Sequence, residues 1–495
     1  MRNDVKDWIE KRIDRSQIEK YLDKGSCFID SAEIQKNLVE NREPDPARVR
    51  DIIRKSLAIE TLSPAECATL LHVDDPELLS EMEAAADTVK RKVYDNRIVT
   101  FAPLYLSNYC VNDCAYCAFR RSNTSEQRGR LDKDEIVRET EALAGEIGHK
   151  RLIVVYGEDP RSDCDYIAST MEDIYSVKVP TKHGYGSIRR CNVNAAPMRI
   201  EELEQLREVG IGTYQVFQET YHPETYADVH PGDTLKGDYL WRLYCMHRAM
   251  EAGVDDLGLG VLFGLYDWRY EVMGLLYHSI ELERKFGVGP HTISFPRLEP
   301  ASNTPFSEKT ENRVSDADFR KLVTVLRLAV PYTGLILTAR ENERVRRDVI
   351  GLGCTQTDAS TRIGLGSYGG DYAEQEGDRQ QFMLGDTRSL DELIREFCER
   401  GWITSFCTAG YRCGRTGKKI MKLLKTGKEG NFCKLNAIIT FREWLDDFAS
   451  PETMSAGERV IAEEMREVED RLPEMYPQLK EFYEKTRSGE RDIYF

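Results

Sequence analysis

The regular alternation of short apolar, β-rich runs with amphipathic helical patterns, which begins near Thr100, constrains the fold most strongly. Helical segments with apolar residues three and four apart lie between eight candidate strands. The pattern predicts an α/β fold, a parallel (β/α)8 barrel of the TIM type, with its chemistry at the carboxyl ends of the strands. The predicted strands are residues 100–107, 151–156, 187–193, 213–218, 256–262, 291–296, 334–338 and 353–358. The predicted helices include residues 132–147, 200–209, 238–252, 270–286, 315–330 and 389–400.

The segments on either side of the barrel have a different pattern. Residues 1–95 are highly charged and mostly helical in pattern, which predicts a helical N-terminal extension packed outside the barrel. Residues 96–400 form the predicted barrel. Residues 401–495 begin with a segment containing glycine and cysteine and continue with charged helices, which predicts a C-terminal accessory domain.

The charge and hydropathy of the chain exclude several classes of partner. A formal net charge of -16 and a pI near 5.2 argue against nucleic acid, because binding through phosphates requires clustered Lys and Arg. The N-terminal residues contain no apolar signal-peptide core, and no stretch approaches the roughly 18 apolar residues of a membrane span. We therefore expect a cytoplasmic protein without a membrane partner.

The thirteen cysteines indicate metal ligation or buried thiols rather than disulfide bonds. The count is odd and the chain is large and acidic, so a secreted disulfide framework is not expected. Several cysteines lie inside apolar or helical runs and are predicted to be core thiols: Cys67, Cys164, Cys245, Cys354 and Cys398.

A group of three cysteines follows the first predicted strand. Cys110, Cys114 and Cys117 are spaced so that their thiolates can face one cuboidal iron–sulfur cluster and leave its fourth iron without a protein ligand. The alternatives are a structural zinc loop or three core cysteines. Zinc sites normally take four ligands arranged in two pairs, and no partner pair lies nearby in the sequence. The motif therefore favours a [4Fe-4S] cluster with one open corner.

The Cys-x3-Cys-x2-Cys spacing after the first strand resembles the signature of the radical S-adenosylmethionine (SAM) superfamily. The preceding residues, from Phe101 to Asn108, are similar to those of the tyrosine lyases, a group that includes the hydrogenase maturase HydG and the thiamine-pathway enzyme ThiH. The resemblance implies that SAM binds the open iron through its amino and carboxylate groups. It also implies that one electron from an external donor, such as ferredoxin or flavodoxin, cleaves SAM to a 5′-deoxyadenosyl radical.

The same resemblance indicates which strand ends contact SAM. Gly157 and Glu158 follow the second strand and resemble the element that receives the SAM amino group, although a Gly-Glu pair is also a common turn. Gln218 and Glu219 follow the fourth strand, and Glu219 is expected at the ribose hydroxyls; the alternative is a helix cap. Tyr109, beside the first cysteine, is also expected to contact the cofactor.

Two arginines and a glycine complete the predicted SAM site. Arg242 and Arg248 lie six residues apart in one predicted helix, and either guanidinium is suited to the SAM carboxylate, whereas at least one of them is interpreted as a solvated charge. Gly260 in the fifth strand allows the close approach of adenine, although a buried barrel strand has the same apolar pattern.

Thr338 and Arg340 end the seventh predicted strand at the open face of the barrel. A guanidinium can hold a carboxylate through two hydrogen bonds, and the resemblance assigns this role toward tyrosine to Arg340, assisted by the Thr338 hydroxyl. The alternative is that Arg340 caps the next helix or pairs with Glu341 or Glu343. The family reaction breaks the tyrosine Cα–Cβ bond and yields a cresol-type radical and dehydroglycine.

The tail resembles the part of HydG that binds a second cluster through a Cys-x2-Cys-x22-Cys pattern. Cys407 and Cys433 occupy the first and third positions, but Gly410 occupies the second. Either Cys413 substitutes as a ligand, or the second cluster is lost or held weakly by two thiols. His278 is matched to a HydG histidine that contacts the extra iron of that cluster, and an ordinary histidine at the edge of its helix is the alternative.

Three functional hypotheses follow. The leading one is a HydG-like tyrosine lyase whose dehydroglycine is converted to carbon monoxide and cyanide for [FeFe]-hydrogenase assembly, with other maturation proteins as partners. The second is a 2-iminoacetate synthase of the ThiH type for thiamine thiazole formation, which is favoured if the glycine at position 410 abolishes the second cluster. The third is a non-catalytic iron–sulfur carrier, and the polar strand ends argue against it.

Overall fold

The computed structural model describes residues 3–369, 380–425 and 429–495. Within these residues the centre of the fold is a closed barrel of eight parallel strands, which confirms the predicted fold class. A further strand, β11, joins the same sheet, and two others form a short antiparallel hairpin. The strands are β1 (Arg97–Ser107), β2 (Arg151–Tyr156), β3 (Val179–Pro180), β4 (Tyr185–Gly186), β5 (Arg190–Asn194), β6 (Tyr214–Gln215), β7 (Leu257–Gly260), β8 (Thr292–Ser294), β9 (Gly334–Leu337), β10 (Gln356–Asp358) and β11 (Ile403–Ser405).

Helices surround the barrel and form both flanking segments. In chain order they are α1 (Asn3–Arg12), α2 (Ser16–Glu19), α3 (Ser31–Glu40), α4 (Pro46–Leu57), α5 (Pro64–Leu71), α6 (Pro76–Tyr94), α7 (Lys133–Glu141), α8 (Cys164–Ser176), α9 (Ile200–Val209), α10 (Pro223–Val229), α11 (Tyr239–Leu243), α12 (Cys245–Glu251), α13 (Trp268–Phe286), α14 (Phe306–Lys309), α15 (Asp316–Ala329), α16 (Glu343–Val349), α17 (Leu390–Glu399), α18 (Ala409–Arg412), α19 (Gly417–Lys425), α20 (Glu429–Phe448), α21 (Pro451–Arg471) and α22 (Tyr476–Arg487).

Strand β1 closes the barrel and also carries the tail. It pairs with β10 at Val99–Phe101 and with β2 from Ala102 onward, so that the barrel runs β1-β2-β5-β6-β7-β8-β9-β10 and returns to β1. Its first residues pair in parallel with β11, with Arg97 opposite Ile403. All of its residues are buried, as expected for a parallel strand covered on both faces.

The helix predicted over residues 238–252 is two helices, α11 and α12, separated at Tyr244. The guanidinium of Arg248 donates to the carbonyl of Trp241 at 2.6 Å. A continuous α-helix would use that carbonyl to accept from the Cys245 N–H group. The side chain of Arg248 thus competes for the backbone acceptor at the point where the helix is interrupted.

Other element boundaries differ from the predictions by a few residues. The third barrel strand is Arg190–Asn194 rather than residues 187–193, and the fourth is shortened to Tyr214–Gln215. The helix predicted over residues 132–147 ends at Glu141 and continues as a wider π-helical turn to Ile147. Burial of the five predicted core thiols is confirmed, since Cys67, Cys164, Cys245, Cys354 and Cys398 are all buried.

The flanking helices pack on the outside of the barrel. The N-terminal helices α3, α5 and α6 pack on α13 and α15, while α20 covers β11 and packs on α21 and α22. Glu443 joins α20 to the barrel. It pairs with Lys150, just before β2, at 3.2 Å and with Arg189, just before β5, at 2.5 Å. These side chains are almost fully buried. Burial by itself raises the pKa of Glu443, but the charges of Arg189 and Lys150 have the larger effect and hold that pKa at about 2.

The segment after β6 is anchored to α13 by a buried carboxyl group. Glu271 accepts from the Tyr221 N–H group at 2.8 Å and from the Thr220 hydroxyl. Burial raises the pKa of Glu271 to about 8. At neutral pH it is therefore the neutral carboxyl group of Glu271 that holds the segment after β6 in place.

No helix in the described ranges is both long enough and apolar enough to cross a membrane.

We predict that Glu443→Ala destabilises the protein by about 3–5 kcal/mol, because it leaves buried Lys150 without the carboxylate that it faces. Anaerobic urea unfolding measures the change. The control is Glu481→Ala in α22, which removes an exposed pair with Lys485 and should cost less than about 1 kcal/mol. Equal effects of the two substitutions would contradict the role of Glu443 in attaching the tail.

We predict that Glu271→Gln makes stability less dependent on pH. A glutamate has a pKa of about 4.3 when unfolded and about 8 in the fold. Between these values the folded protein holds the extra proton, so wild-type stability falls as pH rises, by up to about 1.4 kcal/mol per pH unit. Unfolding at pH 6, 7 and 8 should show a growing advantage of the variant. Glu77→Gln, at an exposed position of α6, should parallel the wild type.

Candidate functional site

The three cysteines of the first loop line one cavity at the carboxyl ends of the barrel strands. The cavity has a volume of about 1000 Å³. Its walls come from the ends of several strands, as the barrel fold predicts. Its lining includes Cys110, Cys114, Cys117, Asn112, Glu158, Asn194, Phe217, Glu219, Lys236, Arg242, Arg340, Gln381 and Phe382.

A single arginine holds the cysteine loop in shape. The guanidinium of Arg128 donates to the carbonyls of Asn108, Phe119, Arg120 and Asn123 at 2.7–3.2 Å. Four charge-assisted hydrogen bonds to one loop leave its backbone little freedom. The cysteines are therefore held in place by the fold before any ligand binds.

Gly157 brings the second loop against the first. A Cβ atom at this position would lie 2.2 Å from the carbonyl oxygen of Tyr109, so only glycine fits. Its neighbour Glu158 accepts from the Asn112 side-chain amide at 2.6 Å, and the second carboxylate oxygen of Glu158 is buried without a hydrogen-bond partner. An unsatisfied buried carboxylate oxygen that lines a cavity is suited to an ammonium group.

Glu219 occupies a strained position between two cations. Its φ angle is +71°, and its carboxylate pairs with Lys236 at 2.7 Å and with Arg242 at 3.4 Å. Burial raises the pKa of this carboxyl group, but Lys236 and Arg242 outweigh it and hold the pKa below its usual value. Glu219 is not a helix cap, because the side chain of His222 caps α10.

The structure distinguishes the two arginines of the predicted SAM site. Arg242 lines the cavity and donates to the Phe217 carbonyl at 2.5 Å. Arg248 does not line it; its guanidinium is fully buried and donates to the carbonyls of Met198 and Trp241. It is a structural residue of the helix break rather than a solvated charge.

Three other residues of the predicted SAM site lie behind the cavity wall. The guanidinium of Arg161 lies 3.4 Å from the ring centroid of Tyr109, outside the cavity. Gln218 is buried, and its backbone N–H group donates to the Gly260 carbonyl at 3.0 Å. Gly260 in turn packs so closely on Phe217 that a Cβ atom would lie 2.3 Å from its ring. Gly260 therefore shapes the wall through Phe217, which does line the cavity.

A second chamber of about 610 Å³ continues into the barrel interior and shares Phe217, Arg340, Gln381 and Phe382 with the first. The guanidinium carbon of Arg340 lies 3.3 Å from the ring centroid of Phe382, and burial lowers the pKa of Arg340. The Thr338 hydroxyl also lines this chamber and is buried without a hydrogen-bond partner.

The carboxylates next to Arg340 in the sequence are engaged elsewhere. Glu341 pairs with Arg297, and Glu343 pairs with Arg347. Within the part of the chain that the structure describes, no ion pair forms to Arg340 itself. Its guanidinium is thus a partly buried cation that lines both chambers.

Sequence reasoning did not find several residues of this site. Lys236 lies in a short 3-10 helical turn (Leu235–Gly237) after α10, where nothing in the sequence distinguishes it from a surface lysine. Asn112 bridges two loops, since its side chain donates to Glu158 and accepts from the Lys236 N–H group at 2.9 Å. Asn194 ends β5, and its position at a strand end was a usable signal.

The residues of the first cavity fit a [4Fe-4S] cluster with SAM. Among the described residues, no three His, Cys, Asp or Glu side chains can share one metal ion. In a cuboidal cluster each thiolate binds a different iron, so convergence on one point is not required. Burial raises the pKa of Cys110 to about 11 and that of Cys114 to about 12, so cluster binding must displace their protons. The unpartnered Glu158 oxygen and the cleft at Gly157 fit the SAM amino group.

A separate cavity of about 680 Å³ lies at the opposite, amino-terminal end of the barrel. Cys407 and Cys433 line it together with Gly410, as the tail motif predicts. Cys413 does not line it; its thiol lies 3.9 Å from the Phe495 carbonyl oxygen.

The histidine of this second cavity is not the predicted one. His278 is buried elsewhere, where its Nδ1 atom and the Tyr221 hydroxyl form a hydrogen bond of 2.8 Å. His291, just before β8, lines the cavity instead, and its Nδ1 atom lies 2.8 Å from Asp256. Helical periodicity could not place His278, because its helix is buried on most sides.

Comparison with known proteins agrees with this architecture. Residues 104–275 match the model of the radical SAM superfamily, and residues 294–403 match that of the biotin and thiamin synthesis associated domain. The 2-iminoacetate synthases of Salmonella typhimurium and Escherichia coli are 31% and 30% identical over 356 residues, which cover 70% of this chain and 88% of each relative.

Two solved structures match nearly the whole chain. The crystal structure of HydG, a maturase of the [FeFe]-hydrogenase, is 46% identical with a TM-score of 0.89, covering 94% of this chain and 100% of that one. HydG from Carboxydothermus hydrogenoformans is 37% identical with a TM-score of 0.74, covering 92% and 97%. Thus the chain belongs to the radical SAM family, alongside 2-iminoacetate synthase and HydG, and the family implies a [4Fe-4S] cluster and SAM.

Proposed function

We propose that this chain cleaves the Cα–Cβ bond of tyrosine to p-cresol and dehydroglycine. The observation that carries the proposal is Arg340, a partly buried guanidinium with no ion pair among the described residues, at the junction of the thiol-lined cavity and the barrel interior. A substrate carboxylate held there lies beside both chambers. Similarity to 2-iminoacetate synthase and HydG supports tyrosine as the amino acid.

The inner chamber suits an aromatic side chain. Tyr105, Phe217 and Phe382 contribute rings to its wall, and the Tyr105 hydroxyl donates to Gln381 at 2.9 Å. Thr338 offers an unpartnered hydroxyl to the substrate's polar end. With its carboxylate on Arg340, tyrosine would place its amino group toward the thiol-lined cavity and its ring in the barrel.

The first cavity supplies the reactive group. When bound there, the cluster and SAM provide the adenosyl radical that removes a hydrogen atom from the substrate amino group. Glu158 would hold the SAM amino group, Glu219 its ribose hydroxyls, and Arg242 its carboxylate. Because Lys236 and Arg242 keep Glu219 ionised, it remains an acceptor across the neutral pH range. A ferredoxin or flavodoxin would supply the electron.

The fate of dehydroglycine separates two candidate roles. Similarity to HydG over 94% of the chain supports a hydrogenase-maturation role, in which dehydroglycine yields carbon monoxide and cyanide and other maturation proteins accept the product. The second cavity, with Gly410 between Cys407 and Cys433, favours a 2-iminoacetate synthase, which releases the fragment unchanged. Both roles share the tyrosine cleavage step.

We predict that the anaerobically reconstituted protein, given SAM, dithionite and tyrosine, forms p-cresol together with at least as much 5′-deoxyadenosine. Liquid chromatography measures both. Cys114→Ala should abolish both products, since it removes a cluster ligand. Deoxyadenosine without cresol would refute tyrosine as the substrate, and absence of both would indicate a non-catalytic iron–sulfur carrier.

We predict that Arg340→Met lowers kcat/KM for cresol formation by about 10- to 150-fold, the equivalent of losing a charged hydrogen-bond partner worth about 1.5–3 kcal/mol. SAM cleavage without tyrosine should persist, because Arg340 contacts the substrate rather than the cluster. Arg344→Met, at an exposed position of α16, is the matched control and should leave kcat/KM unchanged. An unaltered KM and kcat in the Arg340 variant would remove it from the substrate site.

A further inference from the structure

The cavity at the amino-terminal end of the barrel presents two thiols. Cys407 follows β11, Cys433 lies in α20, and both line the cavity. A protein-bound [4Fe-4S] or [2Fe-2S] cluster takes four thiolates, or two thiolates with two imidazoles, unless an outside ligand completes the set. The donors other than these thiols therefore decide whether a cluster can be held.

Position 410 is where a third thiol would come from. Gly410 lines the cavity in α18, three residues after Cys407, which lies two residues before that helix begins. A Cβ atom built at Gly410 meets no atom closer than the Arg415 carbonyl oxygen at 3.7 Å. Its φ angle is not among the positive values that favour glycine. Neither sterics nor backbone conformation requires a glycine here, and a cysteine side chain fits.

Cys413 does not supply the missing ligand. It follows the last residue of α18, and its thiol is directed at the C-terminal residue Phe495 rather than into the cavity. Its backbone N–H group donates to the Ala409 carbonyl at 2.9 Å, and the neighbouring Arg412 pairs with Asp492 at 2.7 Å. These contacts hold the backbone at Cys413 in place, and its thiol does not line the cavity.

The remaining donors of the cavity are too few. His291 offers one imidazole, whose Nδ1 atom is hydrogen-bonded to Asp256. In the described ranges no three His, Cys, Asp or Glu side chains are placed to share one metal ion, so this cavity does not form a mononuclear site either. Among the described residues the cavity thus offers two thiols, one imidazole and the Asp256 carboxylate bonded to that imidazole, and this set does not fit the second cluster that the resemblance to HydG implies.

We infer that this chain carries a single iron–sulfur cluster, because Gly410 removes the third thiol of the second site. The consequence for the product rests on the proposed tyrosine cleavage. Dehydroglycine leaves the enzyme intact and reacts with water to give glyoxylate and ammonia, and neither carbon monoxide nor cyanide is formed. The metal content itself does not depend on tyrosine turnover.

Iron and sulfide are counted per chain, with EPR spectra of the reduced protein, after anaerobic reconstitution. The wild type should hold about four irons, and Gly410→Cys about eight. Gly410→Ala fills the same space without a thiol and should stay at about four. In a Cys110→Ala, Cys114→Ala, Cys117→Ala background, the chain should lose its iron when residue 410 is glycine and keep about four irons when it is cysteine.

A second comparison uses the wild-type glycine and does not require a gain of cluster. Cys407→Ala with Cys433→Ala should leave the iron count and the EPR spectrum unchanged. About eight irons in the wild type, or loss of iron in this double variant, would overturn the inference. If Gly410→Cys does not gain iron, position 410 is not the reason that the second cluster is missing. None of these outcomes depends on whether cresol is formed, so failure of the proposed reaction is seen separately.

Discussion

The site depends on the close contact between the backbones of two loops, at which Gly157 lies against the Tyr109 carbonyl. The Gly157 N–H group donates to the Ser107 carbonyl, and the Val111 N–H group donates to the Glu158 carbonyl, both at 2.8 Å. These main-chain bonds join the cysteine loop to the end of β2 on either side of the contact. These hydrogen bonds fix Cys110 relative to the Glu158 carboxylate, because Cys110 is adjacent to Val111 and Glu158 is itself one of the bonded residues.

Strand β1 extends this constraint through the whole molecule. Its 11 residues span about 33 Å at the usual rise of a parallel strand. The carboxyl end leads into the cysteine loop, while the amino end pairs with β11, which leads directly to Cys407. One strand therefore connects two thiol-bearing cavities at opposite ends of the barrel, and the tail cannot detach without exposing a fully buried strand edge.

The first cavity gathers cations although the chain as a whole is acidic. The formal net charge is -16, yet Lys236, Arg242 and Arg340 line the first cavity, against the two carboxylates Glu158 and Glu219. Burying a cation without a partner is unfavourable, which is why the pKa of Arg340 is lowered. A carboxylate ligand recovers that free energy on binding. Arg340 is thereby suited to a ligand that carries a carboxylate.

The sequence by itself determined the eight-stranded barrel, the thiol loop and the location of Arg340 at a strand end, because periodicity and strand-end position are local properties of the chain. Tertiary structure alone decided which charged residues reach the cavities. Arg242 and Arg248 are equivalent by pattern, but Arg248 is held by the Met198 and Trp241 carbonyls. His291 rather than His278, and Cys407 with Cys433 but not Cys413, meet in the second cavity for the same reason. These choices depend on contacts between segments far apart in sequence, and spacing along the chain does not encode such contacts.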